Sequence, residues 1–448
     1  MPELDILAIV NFLISQLFTQ APIFLGLIAL IGLVLQRKKA TEVFLGFLKT
    51  MLGVIVLNIG TGAIWGVVTS MAGITSKAFG VAGVFADDQA AYGTLLMFKV
   101  PIDFAYYSSM IFAVGFIFML IIARFTPFKV VYITGHMMLW WTSTVPSVIN
   151  MGMGLTGAPL IVVSSLICAL YWTIPPYILH KYDKEWIPGA AFTLGHCQYF
   201  GEIGAVWTGK FFSKDPKKDS AENIKFPGWM KIFSDHTVSM SLATAAFMLG
   251  ISAFVGATVV APYTGGMNYL VWAAMQGLTF TAGVMTIMLG VRTFLGEITP
   301  AFKGISDRLV PGAVPALDCP TVFPYGPTAV LVGFLFDLSA QIIATLVLIG
   351  IRYPIILFPG PIPFFFDGAP IGVYGDKAGG WKCAAFWGFV SGLAFVFGGA
   401  MLYPMTGPLF TERTGILTSN TDQSVFITII GWIVFLIGGK SLPIWPKL

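Results

Sequence analysis

Apolar runs at residues 6–35, 104–122, 130–148 and 386–402 each approach or exceed the roughly 20 residues that a helix needs to cross the hydrocarbon of a bilayer. Inside hydrocarbon the backbone must satisfy its own hydrogen bonds, so only helices and closed barrels can span it. Runs of this length without period-two alternation exclude the barrel. The expected fold class is therefore all-α integral membrane. Charged residues make up 10% of the chain and the mean hydropathy is +0.84, which leaves no polar surface for a water-soluble fold of this size. No GxxxxGKS/T loop occurs and no soluble stretch is long enough to hold ATP, so a nucleotide-driven pump is excluded and no cofactor is expected. Nothing in the chain points to nucleic acid.

The opening residues, Met1-Pro-Glu-Leu-Asp5, are acidic and lack the basic region and cleavage site of a secretory signal, so the first apolar run is expected to be retained. Cys168, Cys197, Cys319 and Cys383 show no CxxC or CxxH spacing, and they read as buried thiols with neither a disulfide framework nor a metal site. The placement of the basic residues sets topology. Arg37-Lys38-Lys39, Arg124 to Lys129 and His180 to Lys184 fall on one side of the membrane if the N-terminus is outside. The Lys-rich loop from Lys210 to Lys231 reaches that same, cytoplasmic side once the segment 186–207 has re-entered and returned. It reads as a solvated loop whose charge can also steer an acidic partner. An odd number of crossings before this loop means that a second half repeating the first must be inverted. The expected division is a first repeat over residues 1–209, the loop at 210–232 and a second repeat over 233–448. A short echo, Phe44-x-Gly46 with Lys49 and Gly53 against Phe302-x-Gly304 with Arg308 and Gly312, accords with repetition.

Three interruptions break the apolar pattern with polar groups: Gly195-His-Cys-Gln198, Pro311-Gly-Ala-Val-Pro-Ala-Leu-Asp-Cys-Pro320, and Pro359-Gly-Pro-Ile-Pro363 followed by Asp367. Irregular backbone at membrane depth is tolerated only inside protein or beside a watery cavity, and broken helices in two halves of a chain point to a transporter's binding site. Each interruption carries a His or an Asp.

The motifs Thr134-Gly-His136-Met, Leu194-Gly-His196-x-Gln198, Phe226-Pro-Gly-Trp-Met-Lys-Ile-Phe-x-Asp235, Val310-Pro-Gly-Ala-Val-x-Ala-x-Asp318-Cys319 and Ile371-Gly-Val ending in Gly379-Gly-Trp381 resemble the membrane-embedded IIC component of the ascorbate-type phosphotransferase system. The resemblance runs from the Arg37-Lys38 loop to about Trp381. It implies about eleven transmembrane segments plus re-entrant hairpins in inverted repeats, with a scaffold domain and a mobile core domain of the elevator type, in a homodimer of the bacterial cytoplasmic membrane. The implied activity is uptake of L-ascorbate, phosphorylated on the cytoplasmic side by a partner IIB protein that is charged in turn by IIA. The chain itself would be a permease subunit and no enzyme on its own.

Positions matching the family's substrate contacts are Thr61, His136, His196, Gln198 and Asp318. The resemblance gives Asp318 a role as hydroxyl acceptor or general base when a sugar hydroxyl attacks a phosphoryl donor. Departures from the pattern cluster at the same places. Trp140-Trp141 replaces a glutamine pair, Cys197 replaces a glutamine, Asp88-Gln89 replaces a Thr-Tyr pair, and Asp337 and Asp367 stand at uncharged positions. Asp88, Gln89, Trp140, Trp141 and Asp367 accordingly join the candidate substrate-binding set. Every gained charge is negative, which disfavours an anion and makes a neutral sugar or polyol the alternative ligand.

Other readings of the same residues stay open. His136 and His196 could be buried structural hydrogen-bonders, and Asp318 before Cys319-Pro320 could cap a helix. One of Trp140 and Trp141 could stack on a sugar ring while the other faces lipid or protein. An ion-coupled transporter using Asp318, Asp337 or Asp367, or a receptor that binds without transport, would also account for a polar membrane site.

Overall fold

The computed structural model describes residues 20–79, 83–86, 88–187, 191–224, 236–358, 365–444 and 446. In chain order it runs α1 (Ala21–Leu35), α2 (Ala40–Phe79), β1 (Gly83–Ala86), α3 (Asp88–Met97), α4 (Phe104–Phe125), β2 (Val130–Tyr132), α5 (Gly135–Met153), α6 (Gly157–Trp186), β3 (Thr193–Leu194) and α7 (Tyr199–Thr208). It continues with α8 (His236–Val255), α9 (Tyr269–Arg308), β4 (Val314–Leu317), α10 (Pro327–Gly350), β5 (Ile356–Phe358), α11 (Gly368–Leu402), β6 (Ile416–Leu417) and, after a π-helical turn at Gln423–Ile427, α12 (Thr428–Ile437).

Among the described residues five helices are long and apolar enough to cross a bilayer, Ala40–Gly60, Phe104–Phe125, Gly157–Trp186, Pro327–Gly350 and Gly368–Met405, or six if the bent pair Thr244–Val255 and Ala257–Tyr263 is one span. Their outer faces fit lipid. Ile117, Ile121 and Phe125 on α4, and Val162, Leu166 and Leu170 on α6, are exposed at four-residue spacing, an apolar stripe that water would not tolerate. The N-terminus of α4 is capped by Asp103, whose Oδ1 accepts from Tyr106 N at 3.1 Å and pairs with Lys99 Nζ at 2.9 Å.

The run at 130–148 is not one span. Val130 to Tyr132 is extended, and the helix begins only at Gly135. β-branched and aromatic residues favour extension, and the strand's polar groups are met by pairing, which is what allows extended backbone inside a membrane protein. Two three-stranded parallel sheets result, with strand orders β5-β1-β6 and β2-β4-β3. In the second, Val130, Val131 and Tyr132 pair with Val314, Pro315 and Ala316, while Thr193 and Leu194 pair with Ala316 and Leu317. Pro315 sits in the middle strand at one of the two levels, Val314 and Pro315, that β3 does not reach, so its missing N–H leaves no neighbour in β3 unbonded.

Each sheet takes its central strand from one half of the chain and its two flanking strands from the other. A 40-residue helix precedes each central strand: α2 leads to β1, and α9 leads to β4. The Phe44 and Phe302 segments, by contrast, do not occupy like positions. The first begins α2 and the second lies near the end of α9, where the two helices run side by side and Lys49 Nζ meets Glu297 Oε1 at 3.1 Å.

Glycines set the closest approach in the bundle. A side-chain carbon on Gly333 of α10 would collide with the backbone of Gly368 and Gly372 on α11, a four-residue spacing of small residues that lets two helix backbones touch. Farther along α11, Gly379 (φ −150°) and Gly380 (φ 74°) break the helix. The first part of the Lys-rich loop docks there and is not merely solvated. Ala221 N and Ser220 Oγ donate to Asp376 at 2.6 Å each, Trp381 N donates to Asp219 O at 3.0 Å, and Glu222 accepts from Thr328 N at 2.7 Å at the start of α10. The motif from Phe226 to Asp235 lies outside the described residues.

Candidate functional site

Parallel strands deliver whatever follows their carboxyl ends to one edge of a sheet. In the β2-β4-β3 sheet Asp318 directly follows β4, His196 comes two residues after β3, and His136 comes four after β2, at the start of α5. His136 Nε2 lies 3.5 Å from Asp318 Oδ2, and His196 Nε2 lies 3.7 Å from Asp318 Oδ1. Both separations exceed a good hydrogen bond, so the facing nitrogen and oxygen atoms do not satisfy each other and can turn to a ligand seated beside them. Asp318 Oδ1 also accepts from Cys319 N at 2.7 Å, so the carboxylate caps the short 3-10 turn Cys319–Thr321 while its other oxygen stays available; the cap and the site coexist.

The ring of His196 is fixed from behind. Its Nδ1 bonds to Gln198 Oε1, and its own carbonyl accepts from Tyr132 Oη at 2.9 Å. Glu202, in the first turn of α7, is a carboxylate 0% exposed. The His136 side chain is 35% exposed against 4% for His196, so access to the pair runs past His136. Trp140 lies edge-on to His136 with ring centroids 5.2 Å apart and is half-buried, which puts it at the mouth.

Trp141 has a different place. It is 1% exposed and stacks on Tyr171 with centroids 3.6 Å apart, its indole turned toward Cys197. Trp140 is therefore the one available to a ligand, and Trp141 faces protein. Asp88, the first residue of α3, is buried within electrostatic range of Cys197 and does not pair with Lys99, which is taken by Asp103. Asp367 is 1% exposed and accepts from both Thr421 N and Thr421 Oγ1 at 2.7 Å, so it is bound into a loop and does not converge with the two histidines. Asp337 is buried on α10, with Oδ2 accepting from Gln341 Nε2 at 2.5 Å. The side chains of Thr61 and Gln89 lie outside the described residues.

The sequence reading passed over Tyr132, Glu202 and the segment Thr418-Ser-Asn-Thr-Asp-Gln-Ser424. That segment follows β6 at the carboxyl edge of the other sheet and is buried throughout. Its Asp422 reaches across to the end of the β2-β4-β3 sheet: Oδ2 accepts from Tyr199 N at 2.8 Å and Tyr171 Oη at 2.5 Å, Oδ1 accepts from Phe200 N at 2.8 Å, and Asp422 N donates to Cys197 O at 3.0 Å. The carboxyl edges of the two sheets thus meet between Cys197 and Asp422. Seven consecutive polar residues immediately before an apolar helix were the available signal.

The electrostatic balance of the interior is one-sided. Among the described residues Asp88, Asp183, Glu202, Asp318, Asp337, Asp367, Asp376 and Asp422 are buried, while no Lys or Arg is.

A profile of sugar-specific permease components of the phosphotransferase system matches residues 16–422. The chain is also similar to an ascorbate-specific EIIC component of that system from Mycoplasma pneumoniae, with 28% identity over 425 residues that cover 83% of this chain and 64% of the relative. It thus spans somewhat under two thirds of that relative's length. The match reaches across both sheets and every residue of the His136, His196 and Asp318 cluster, and this multi-pass membrane chain belongs to the family of sugar-specific permease components of the phosphotransferase system.

Proposed function

We propose that this chain is the substrate-translocating IIC subunit of a sugar phosphotransferase system, importing L-ascorbate or a related sugar or polyol while a partner IIB protein, recharged by IIA, phosphorylates it on the cytoplasmic side. The observation that carries the reading is the convergence of His136, His196 and Asp318 from three parallel strand ends, at separations of 3.5 and 3.7 Å that leave the groups unbonded to one another and able to turn to a sugar hydroxyl beside them. A hydroxyl seated there donates to Asp318 and accepts from His136, and Asp318 is placed to take its proton as the oxygen attacks a phosphoryl group.

The swapped sheets support an inverted-repeat architecture. Under the correspondence β1 with β4, β2 with β5 and β3 with β6, one sheet maps onto the other. Inverted repeats of this kind place the binding site at their interface and permit alternating access by movement of one body against another. We extend the reading to re-entrant hairpins at β3-α7 and β6-α12, an elevator-type core, an outside N-terminus with the Lys-rich loop in the cytoplasm, and a homodimer. Between the two ligand classes, the absence of any buried Lys or Arg among the described residues, which leaves an anion no cation to meet, favours a neutral sugar or polyol.

Uptake assays in vesicles with and without IIB test the reading. Phosphorylated sugar should accumulate inside only when phosphorylated IIB is present, and His196→Gln should abolish it. Uptake of unmodified sugar that needs no IIB and collapses with a protonophore would replace this reading with ion-coupled transport.

A further inference from the structure

Sugar binding leaves one donor of the cluster unused, the thiol of Cys319. We propose that His196, Asp318 and Cys319 form a site for a soft divalent metal ion of the Zn2+ type, taken up in competition with the sugar. One nitrogen of His196, one carboxylate oxygen of Asp318 and the sulfur of Cys319 lie within 4.8 Å of one another, and all three residues are buried. Donor atoms of a tetrahedral zinc site stand roughly 3.3–3.8 Å apart, given Zn–N and Zn–O of about 2.0–2.2 Å and Zn–S of about 2.3 Å. The 3.7 Å between His196 Nε2 and Asp318 Oδ1 already has that spacing, and small rotations bring in the sulfur.

The contact of Gln198 with the back of the His196 ring favours a cation over a direct histidine–carboxylate bond. The atom that meets His196 Nδ1 is the carbonyl oxygen of Gln198, which can only accept. Nδ1 then carries the proton and Nε2 presents a lone pair to Asp318, two acceptors face to face. A metal ion between them turns that repulsion into ligation, and the Gln198 contact is the outer-shell bond that orients a ligating histidine. Charge closes as well. Binding converts the Cys319 thiol to a zinc-bound thiolate and releases its proton to solvent. One thiolate, one carboxylate and a neutral imidazole then balance the 2+ ion in a dry interior. His136, 3.5 Å from Asp318 Oδ2 on the more exposed side, stands outside this group of donors, and the fourth position is left to a water molecule.

The competition rests on the sugar-carrier reading; the metal site rests on the donor set alone. Titrating the purified full-length protein with Co2+ should give one equivalent of a tetrahedral cobalt spectrum with a thiolate charge-transfer band, displaced by Zn2+. The band should vanish in Cys319→Ser and persist in Cys168→Ser and Cys383→Ser, and Gln198→Ala should weaken metal binding roughly 10- to 100-fold. Metal content after desalting gives a second readout on protein that elutes as a single species, with about one zinc per chain expected in the parent and none in His196→Gln. A missing charge-transfer band, or one that survives Cys319→Ser, overturns the site. Zinc that binds yet leaves sugar uptake untouched at every sugar concentration overturns the competition, and a chain that carries no sugar at all refutes the carrier reading while leaving the cobalt spectrum unaffected.

Discussion

The two sheet edges are built alike and finished differently. At residues 418–424 the polar groups turn inward: Asp367 is spent on Thr421, Ser419 Oγ bonds to Ser424 Oγ at 2.5 Å, Asn420 Oδ1 accepts from Gln423 N at 3.0 Å, and Asp422 takes three donors. Side-chain atoms that stay unbonded there, such as both amide atoms of Gln423, are sealed at 0% exposure. At the other edge His136 and Asp318 are reachable from outside and stand just too far apart to satisfy each other. One scaffold has thus made a sealed cross-brace of one edge and left the other open, and the difference lies in which carboxylate can be reached from outside.

Breaking the brace should have the largest effect. Asp422→Ala removes three hydrogen bonds to a charged acceptor, each stabilising by about 1.5–3 kcal/mol, and leaves two N–H groups of α7 without partners in a dry interior. The variant should lose several kcal/mol, seen as a large fall in melting temperature or loss of folded yield in detergent. A parental melting temperature would show that the two edges do not depend on each other, and the comparison would fail. Trp141→Ala should come next, at about 3–5 kcal/mol for emptying the space against Tyr171. Trp140→Ala, one residue earlier, should leave the melting temperature near the parent's and lower sugar affinity.

These two tryptophans show what a sequence can and cannot disclose. Membrane class follows from run length and composition alone, because the bilayer punishes every exception. His136 and His196 stand out because each directly follows a Gly in an apolar run, and Asp318 because Pro320 interrupts such a run two residues later. Adjacent tryptophans carry no such mark, since which of the pair faces a ligand depends on the helical phase of α5, and that phase is set by where β2 stops. The strands were invisible for the same reason: Val130-Val-Tyr132 is as apolar as a helix, and only partners more than 180 residues away make it extended. Asp367 shows the same limit: a gained charge in a membrane suggests a ligand, and only the fold reveals that its Oδ2 meets the Thr421 hydroxyl and N–H. Asp422 escaped notice because its partners Tyr171 and Tyr199 lie more than 220 residues away in the other half of the chain.

Asp318→Asn sharpens the comparison from the open side. The shape and the acceptor for Cys319 N are kept, so stability should change little, but charge and basicity are lost. Sugar affinity should fall about 5- to 150-fold, corresponding to roughly 1–3 kcal/mol for an unpaired polar group in a dry pocket. Phosphorylation-coupled uptake should fall further than binding does. Equal losses in binding and uptake would remove the base from the mechanism and leave Asp318 a hydrogen-bond acceptor only.

The smallest effect, and the one that bears on substrate, is expected where the open edge departs from the family pattern. Asp88 contributes a buried carboxylate within electrostatic range of Cys197, and Trp140 offers a flat apolar face beside His136. At an effective dielectric of about 20, a carboxylate roughly 8–16 Å from an anionic ligand opposes it by ~1–2 kcal/mol, while a neutral ligand at the same distance feels little. Asp88→Thr combined with Trp140→Gln should therefore raise ascorbate affinity about 5- to 30-fold and leave a neutral polyol unchanged or weaker, since the polyol loses the ring face it stacks on. Trp141 is left in place, because its stack on Tyr171 belongs to the protein core. Calorimetric titration of both ligands into parent and double variant decides the matter. A gain shared equally by ascorbate and the neutral polyol would mean that the substitutions only loosened the pocket, and that the excess of buried acid does not set which sugar is carried.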